Sequence, residues 1–179
     1  MRTVVAIIGC ICAVSFSIAD AETEYLKLDS SVVLESGDTW TTSGERYRLY
    51  GVQSCLRGTY FRNKSGMQQD CGDASMAFLA AFIKDTGPLC TAIAKAMTIS
   101  YVVCVATVGT HRVDLGTALI AEGYAFAALD PRGLPVNPNY AVAEQRARQR
   151  KAGLWQFPDV PHPSMLLSGA ARQAGGTVP

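Results

Sequence analysis

Between residues 25 and 108 the chain strings together three short β-type stretches, one amphipathic helix and two more β-type stretches. Few folds accept that order. Residues 25–34, YLKLDSSVVL, mix β-branched and apolar residues and predict a strand. ESGDTW (35–40) predicts a turn, and WTTSGERYRLYGV (40–52) predicts a hairpin of two strands about Ser43-Gly44. Asp73 is the expected cap of a helix running to Asp85, with Met76, Leu79, Phe82 and Ile83 at i, i+3, i+4 spacing. Gly87-Pro88 stops it. Residues 89–94 and 99–108 predict a strand pair. Asp114 caps a short helix bearing Leu115, Ala118 and Leu119, and Asn137-Pro138 starts a third helix that runs to Ala152 and ends at Gly153. Five strands with a helix between the third and fourth fit a β-barrel plus α fold, a five-stranded Greek-key barrel of the OB type with three helices.

The ends read differently. Arg2, the apolar run Val4–Ile18 and the small-x-small pattern Ala19-Asp20-Ala21 predict a signal peptide over residues 1–21. The run is too short to span a bilayer. The folded domain is then expected over 22–157, with no transmembrane span after cleavage. Residues 158–179 are rich in Pro, Gly, Ala and Ser without periodicity, and predict a mostly disordered tail. Cleavage removes one of 16 basic residues (Arg2) and one of 15 acidic ones (Asp20), so the formal charge stays +1. Nonspecific nucleic-acid binders carry a larger basic excess, so nucleic acid is not the expected partner.

Of six cysteines, Cys10 and Cys12 fall in the leader, leaving Cys55, Cys71, Cys90 and Cys104. An even number in an exported chain predicts disulfides; metal binding is the rival reading, without a C-x-x-C and with only His111 and His162 to assist. Four cysteines allow three connectivities. Cys90 and Cys104 lie on the two stretches expected to pair as an antiparallel ladder. Cys55 and Cys71 bracket a long polar loop, 55–72, that offers little apolar content to hold it. The expected bridges are therefore Cys55–Cys71 and Cys90–Cys104.

SGDTWTTSGERYRLYGV (36–52), DCGDASMAFLAAFI (70–83), VDLGTALIAEGYAFA (113–127) and NYAVAEQRARQRKAGLWQF (139–157) resemble, in order and spacing, the staphylococcal nuclease-like (thermonuclease) family. The resemblance implies an OB barrel with helices. It also implies a phosphodiesterase site built on calcium, two aspartates, two arginines and a glutamate that assists the attacking water. A hard cation wants charged oxygen ligands, and the phosphate wants positive charge and a general base.

Carried over by position, Asp38 matches the first metal-binding aspartate and Arg48 the first arginine. The second aspartate falls at Gln53, the adjoining threonine at Ser54, and the proline and glutamate at Cys55 and Leu56. The segment expected to hold the second arginine reads AKAMTISY (94–101), without Asp or Arg. No catalytic residue is therefore assigned beyond the remnant Arg48, no metal ligand beyond the remnant Asp38, and calcium is expected only if the site still works. Asp70 and Asp73 read as residues that start and cap the helix. Arg48 and Asp38 pair across the barrel mouth, Glu45, Arg46 and Arg57 are solvated, and Arg146, Arg148, Arg150 and Lys151 form a basic helix end. Tyr140 and Trp155 pack in the core.

The leader, size and depleted site also resemble those of small exported nuclease-like proteins of succinoglycan (acidic exopolysaccharide) biosynthesis in rhizobia. That implies a periplasmic or secreted protein, with a polysaccharide or a cell-envelope biosynthesis complex as partner. The rival readings are a weak or altered calcium-dependent phosphodiesterase and an envelope nucleic-acid-binding module.

Overall fold

The hairpin at Ser43-Gly44 is the tightest piece of local chemistry in the chain. Ser43 (φ 51°) and Gly44 (φ 79°) both take left-handed backbone, as a two-residue type I′ turn requires. The turn joins β3 (Thr39–Thr42) to β4 (Glu45–Leu49) and sets Thr42 opposite Glu45 and Thr39 opposite Arg48. The computed structural model describes residues 25–175; the expected leader, 1–21, lies outside them.

The expected first strand is two, β1 (Leu26–Lys27) and β2 (Val33–Leu34), because Asp29 turns the chain by binding the N–H and hydroxyl of Ser31. The expected turn 35–40 gives its last two residues to β3. β5 (Val52–Ser54) follows, and the polar loop 55–72 holds a small hairpin, β6 (Tyr60–Arg62) with β7 (Gln68–Asp70). Then come α1 (Cys71–Thr86), β8 (Leu89–Ala96), β9 (Ile99–Val108), β10 (His111–Asp114), α2 (Leu115–Ala121), β11 (Ala125–Ala127) and α3 (Pro138–Gln149). A 3-10 turn, Gly153–Gln156, and α4 (Pro163–Gly175) complete the described chain.

The main sheet runs β1-β8-β9-β4-β3-β2, with β10 also on β9. β4 lies parallel to β9 and the other pairs in this sheet are antiparallel. It curls into an OB-like half-barrel closed by helices. Trp40, Leu49, Leu79, Val102, Leu115 and Leu119 fill its core. Trp40 exposes no surface, and burying a side chain of that size contributes about 3 kcal/mol.

Three expectations change. The cap of α1 is Asp70, whose carboxylate accepts from the Asp73 N–H at 3.1 Å; Asp73 lies in the first turn, where an acid suits the helix dipole. Gly87, in left-handed backbone, ends α1 as expected. The loop 55–72 has a core of its own. Phe61 is buried with Phe126, Leu154 and the Cys55–Cys71 bridge, and its ring meets Phe157 at 4.7 Å. Most of the expected disordered tail is α4. Pro163 opens that helix with its φ already set, and Leu166, Leu167, Ala170 and Ala171 are strong helix formers. The described residues therefore contain four α-helices, one more than expected.

Both disulfides take the expected connectivity, Cys55–Cys71 and Cys90–Cys104. Cys90 sits directly opposite Cys104 on the β8–β9 ladder. Among the described residues no helix is long and apolar enough to cross a membrane. Tyr140 is buried as expected, and Trp155 is half-buried with its ring under the Arg148 guanidinium at 4.8 Å. Arg150 donates to the Ala121 carbonyl.

Candidate functional site

The β3–β4 hairpin and β5 bring the sequence-predicted site residues to one cleft of about 300 Å³. Asp38, Arg46, Arg48, Gln53, Leu56 and Arg57 are among its lining. Gly37 makes this placement possible. The Ser36–Asp38 turn presses on α1 so closely that a Cβ at Gly37 would stand 2.7 Å from the Ser75 Cβ. The Ser75 hydroxyl in turn accepts the Cys55 N–H, and Cys55 is bonded to Cys71, the first residue of α1. Helix, bridge and cleft wall are thus one unit.

Asp38 is 2% exposed. One carboxylate oxygen accepts the hydroxyls of Ser36 at 2.6 Å and Thr39 at 2.8 Å. The other accepts the Ser54 N–H at 3.0 Å and Arg48 Nη2 at 3.1 Å. An ionised carboxylate has about four acceptor sites, and all four are taken from within the chain. Arg48, its side chain 30% exposed, spends the same nitrogen on Gln53 Oε1 at 2.8 Å. Gln53 completes the circuit by donating to the Ser54 carbonyl. The expected Asp38–Arg48 pair is present, and Gln53 is its third member.

The rim is paired as well. Glu35 accepts from the Thr41 hydroxyl and from Arg46. Its carboxyl is held below the ordinary carboxylate value, most of all by Thr41, with burial working against the shift and Arg46 adding to it. Arg57 meets Asp73 at 3.2 Å, and Lys95 meets Glu45 at 3.4 Å. Glu45, Arg46 and Arg57 are exposed, as expected of solvated charges, and each also has a surface partner. Asp70 caps α1 with one oxygen and takes the Gly58 N–H with the other at 2.7 Å, so it serves as a cap and loop clamp.

These groups do not fit calcium. The ion takes six to eight oxygen ligands, carboxylates foremost. Asp38 can offer an oxygen only by giving up a donor. Gln53 and Leu56, at the positions where the sequence resemblance implies a second carboxylate and a glutamate base, offer no carboxylate, and Glu35 is committed to Thr41 and Arg46. Among the described residues no group of three His, Cys, Asp or Glu side chains is placed to hold a metal. What the cleft does present is the side chains of Arg46, Arg48 and Arg57, each with an acid as neighbour.

Sequence reasoning missed how Asp38 is held. The signal was local: Ser36 and Thr39 flank it, two hydroxyls within reach of one carboxylate. It also missed a larger cavity of about 720 Å³ between α3 and the start of α4, because α4 itself was unexpected. A family model described as Staphylococcal nuclease homologue matches residues 47–157, taking in Arg48 and Gln53 but not Asp38. No curated protein matches the chain.

Proposed function

The chain belongs to the staphylococcal nuclease homologue family, and from that premise we propose that it is a catalytically silent member: an exported accessory or binding factor in exopolysaccharide (succinoglycan) biosynthesis or cell-envelope assembly. The observation that carries the silence is the filled valence of Asp38. A general base commonly supplies 10²–10⁴-fold in rate, and Leu56 supplies none. A cation at Asp38 would have to displace a hydroxyl, a backbone N–H or Arg48, leaving a buried donor unpaired. Two disulfides suit an oxidising compartment, and the arginine-lined cleft suits an acidic partner.

The test has two arms. Purified protein is assayed on DNA and RNA with calcium and other divalent ions, and is passed over immobilised acidic exopolysaccharide at low and high salt. The expected result is no hydrolysis above background and salt-sensitive retention weakened by Arg46→Ala with Arg57→Ala. Calcium-dependent turnover abolished by Asp38→Ala overturns the silent reading; flow-through at low salt overturns the partner.

A further inference from the structure

We propose that a second site, independent of the cleft at Asp38, is built for acyl transfer on carboxylic esters, with Ser164 as nucleophile, His162 as general base and Glu144 as the residue that positions it. Ser164 Oγ lies 2.5 Å from His162 Nδ1. The other ring nitrogen, Nε2, lies 3.1 Å from Glu144 Oε1. The three side chains line the cavity of about 720 Å³, a size typical of small-molecule sites.

The order of hydrogen bonds fixes the roles. An ionised Glu144 only accepts. In the tautomer that donates to it, the imidazole proton sits on Nε2 and the single Nδ1 pair is shared between the Ser164 hydroxyl and the Ser164 N–H. That is the logic of a nucleophile, a base and an orienting acid, here with the ring nitrogens exchanged relative to the serine-protease arrangement.

A helix start alone does not explain the set. His162 Nδ1 also accepts the Ser164 N–H at 3.2 Å, which seats the ring over the first turn of α4. That seating needs no carboxylate on the far side of the ring. Yet Glu144 reaches it from α3, is 8% exposed, and is itself fixed by the Ala127 N–H at 2.8 Å. A buried acid is costly unless paired, and its partners hold it on the ring. Phe126 packs edge-on to the imidazole at 5.0 Å and Trp155 lies beside it at 6.1 Å. The ring is thus held from several directions.

The chemistry balances with water alone. Ser164 Oγ bonds to the ester carbonyl carbon while its proton passes to His162 Nδ1. The carbon–oxygen bond to the alcohol breaks, and the alcohol leaves with that proton. Water then attacks the acyl-serine, gives its proton to Nδ1, and the serine departs with it as the acid is released. Gln145 and Arg148 of α3 line the same cavity and are the donors this proposal assigns to the oxyanion. Leu129, Pro135, Ala141 and Met165 leave the rest of the cavity apolar, so the favoured substrate is an ester with an uncharged, apolar acyl group.

The test is labelling of the whole protein with a fluorophosphonate probe, read by peptide mass spectrometry, alongside hydrolysis of p-nitrophenyl acetate. The expected result is a single adduct on Ser164, its rate of formation recorded as a function of pH. Ser164→Ala should abolish the adduct, and His162→Gln should slow it by about 10²-fold or more. Glu144→Gln should slow it less and shift its pH profile, which a merely structural role would not do. An unlabelled Ser164 in wild-type protein that is folded with both disulfides formed overturns the proposal, whatever the variants do. So does ester hydrolysis that survives Ser164→Ala.

Discussion

Two buried carboxylates of this protein, Asp38 and Glu144, meet the same problem with different outcomes. Each is nearly out of solvent, and each accepts one backbone N–H from a β-strand, Ser54 for Asp38 and Ala127 for Glu144. Asp38 then collects two hydroxyls and an arginine, all from its own hairpin and turn. Glu144 collects one imidazole, and that imidazole faces a hydroxyl at the mouth of a cavity. A carboxylate saturated by its own fold is a staple. One that hands its charge outward through a titratable ring remains available to chemistry. The sequence resemblance that sets Asp38 at a metal position points to the first, and hydrogen-bond arithmetic points away from it.

The widest separation between the two should appear in stability. Asp38→Ala leaves two hydroxyls and a backbone N–H unpaired and Arg48 half-buried with only Gln53. It should cost about 4 kcal/mol, in the range for breaking a buried pair. Glu144→Ala strips the Ala127 N–H and the His162 ring of a partner and should cost about 2 kcal/mol. Urea titrations of both variants check the order. Equal losses, or a larger one at Glu144, would break the comparison.

The bridge Cys55–Cys71 sharpens it from the other side. Cys55 follows Ser54, the backbone donor to Asp38, and the bridge spans a separation of 16 residues. A loop of that length is worth about 3 kcal/mol in the chain-entropy picture. Replacing both cysteines with alanine should therefore lower stability by about 3 kcal/mol. Ser164 labelling should change as well, because the bridge packs in one cluster with Phe126, whose ring lies against His162. Thermal melts and the labelling profile, measured on the same preparation, check both halves.

The sequence carried the barrel well and the sites unevenly. Strand pairing across 89–108, the turn at Ser43-Gly44 and both disulfides follow from β-branched runs, a two-residue turn and the placement of cysteines, all local signals. The Asp38–Arg48 pair was legible because cross-strand register is set by that turn. Gln53 as its third member was not, since a glutamine next to a strand end looks the same whether it points to solvent or to a guanidinium. α4 stayed hidden because Gly, Ala and Ser in a proline-flanked stretch mimic a tail. His162 and Ser164 were hidden with it, for their partner lies on another helix, 18 residues before His162, and no spacing rule connects them.

Glu35 gives the finest test, as a third acid between the two extremes. It is partly exposed at the rim of the Asp38 cleft, tied to the Thr41 hydroxyl and to Arg46. Its carboxyl is depressed from the ordinary 4.5, with Thr41 the largest cause. A carboxylate whose folded-state pKa is lowered adds stability above its unfolded-state value, and that stability is lost as pH falls through the folded one. Thr41→Val removes the main source of the shift while keeping the shape of the strand residue. At pH 7 the variant should be less stable by about 0.5 kcal/mol, the scale of an exposed polar pair. The gap should narrow as pH falls below 4.5 and Glu35 protonates in both proteins. Urea midpoints at pH 7, 5 and 3 decide it. A gap that stays constant with pH would mean that Thr41 acts through strand packing and not through the Glu35 carboxylate.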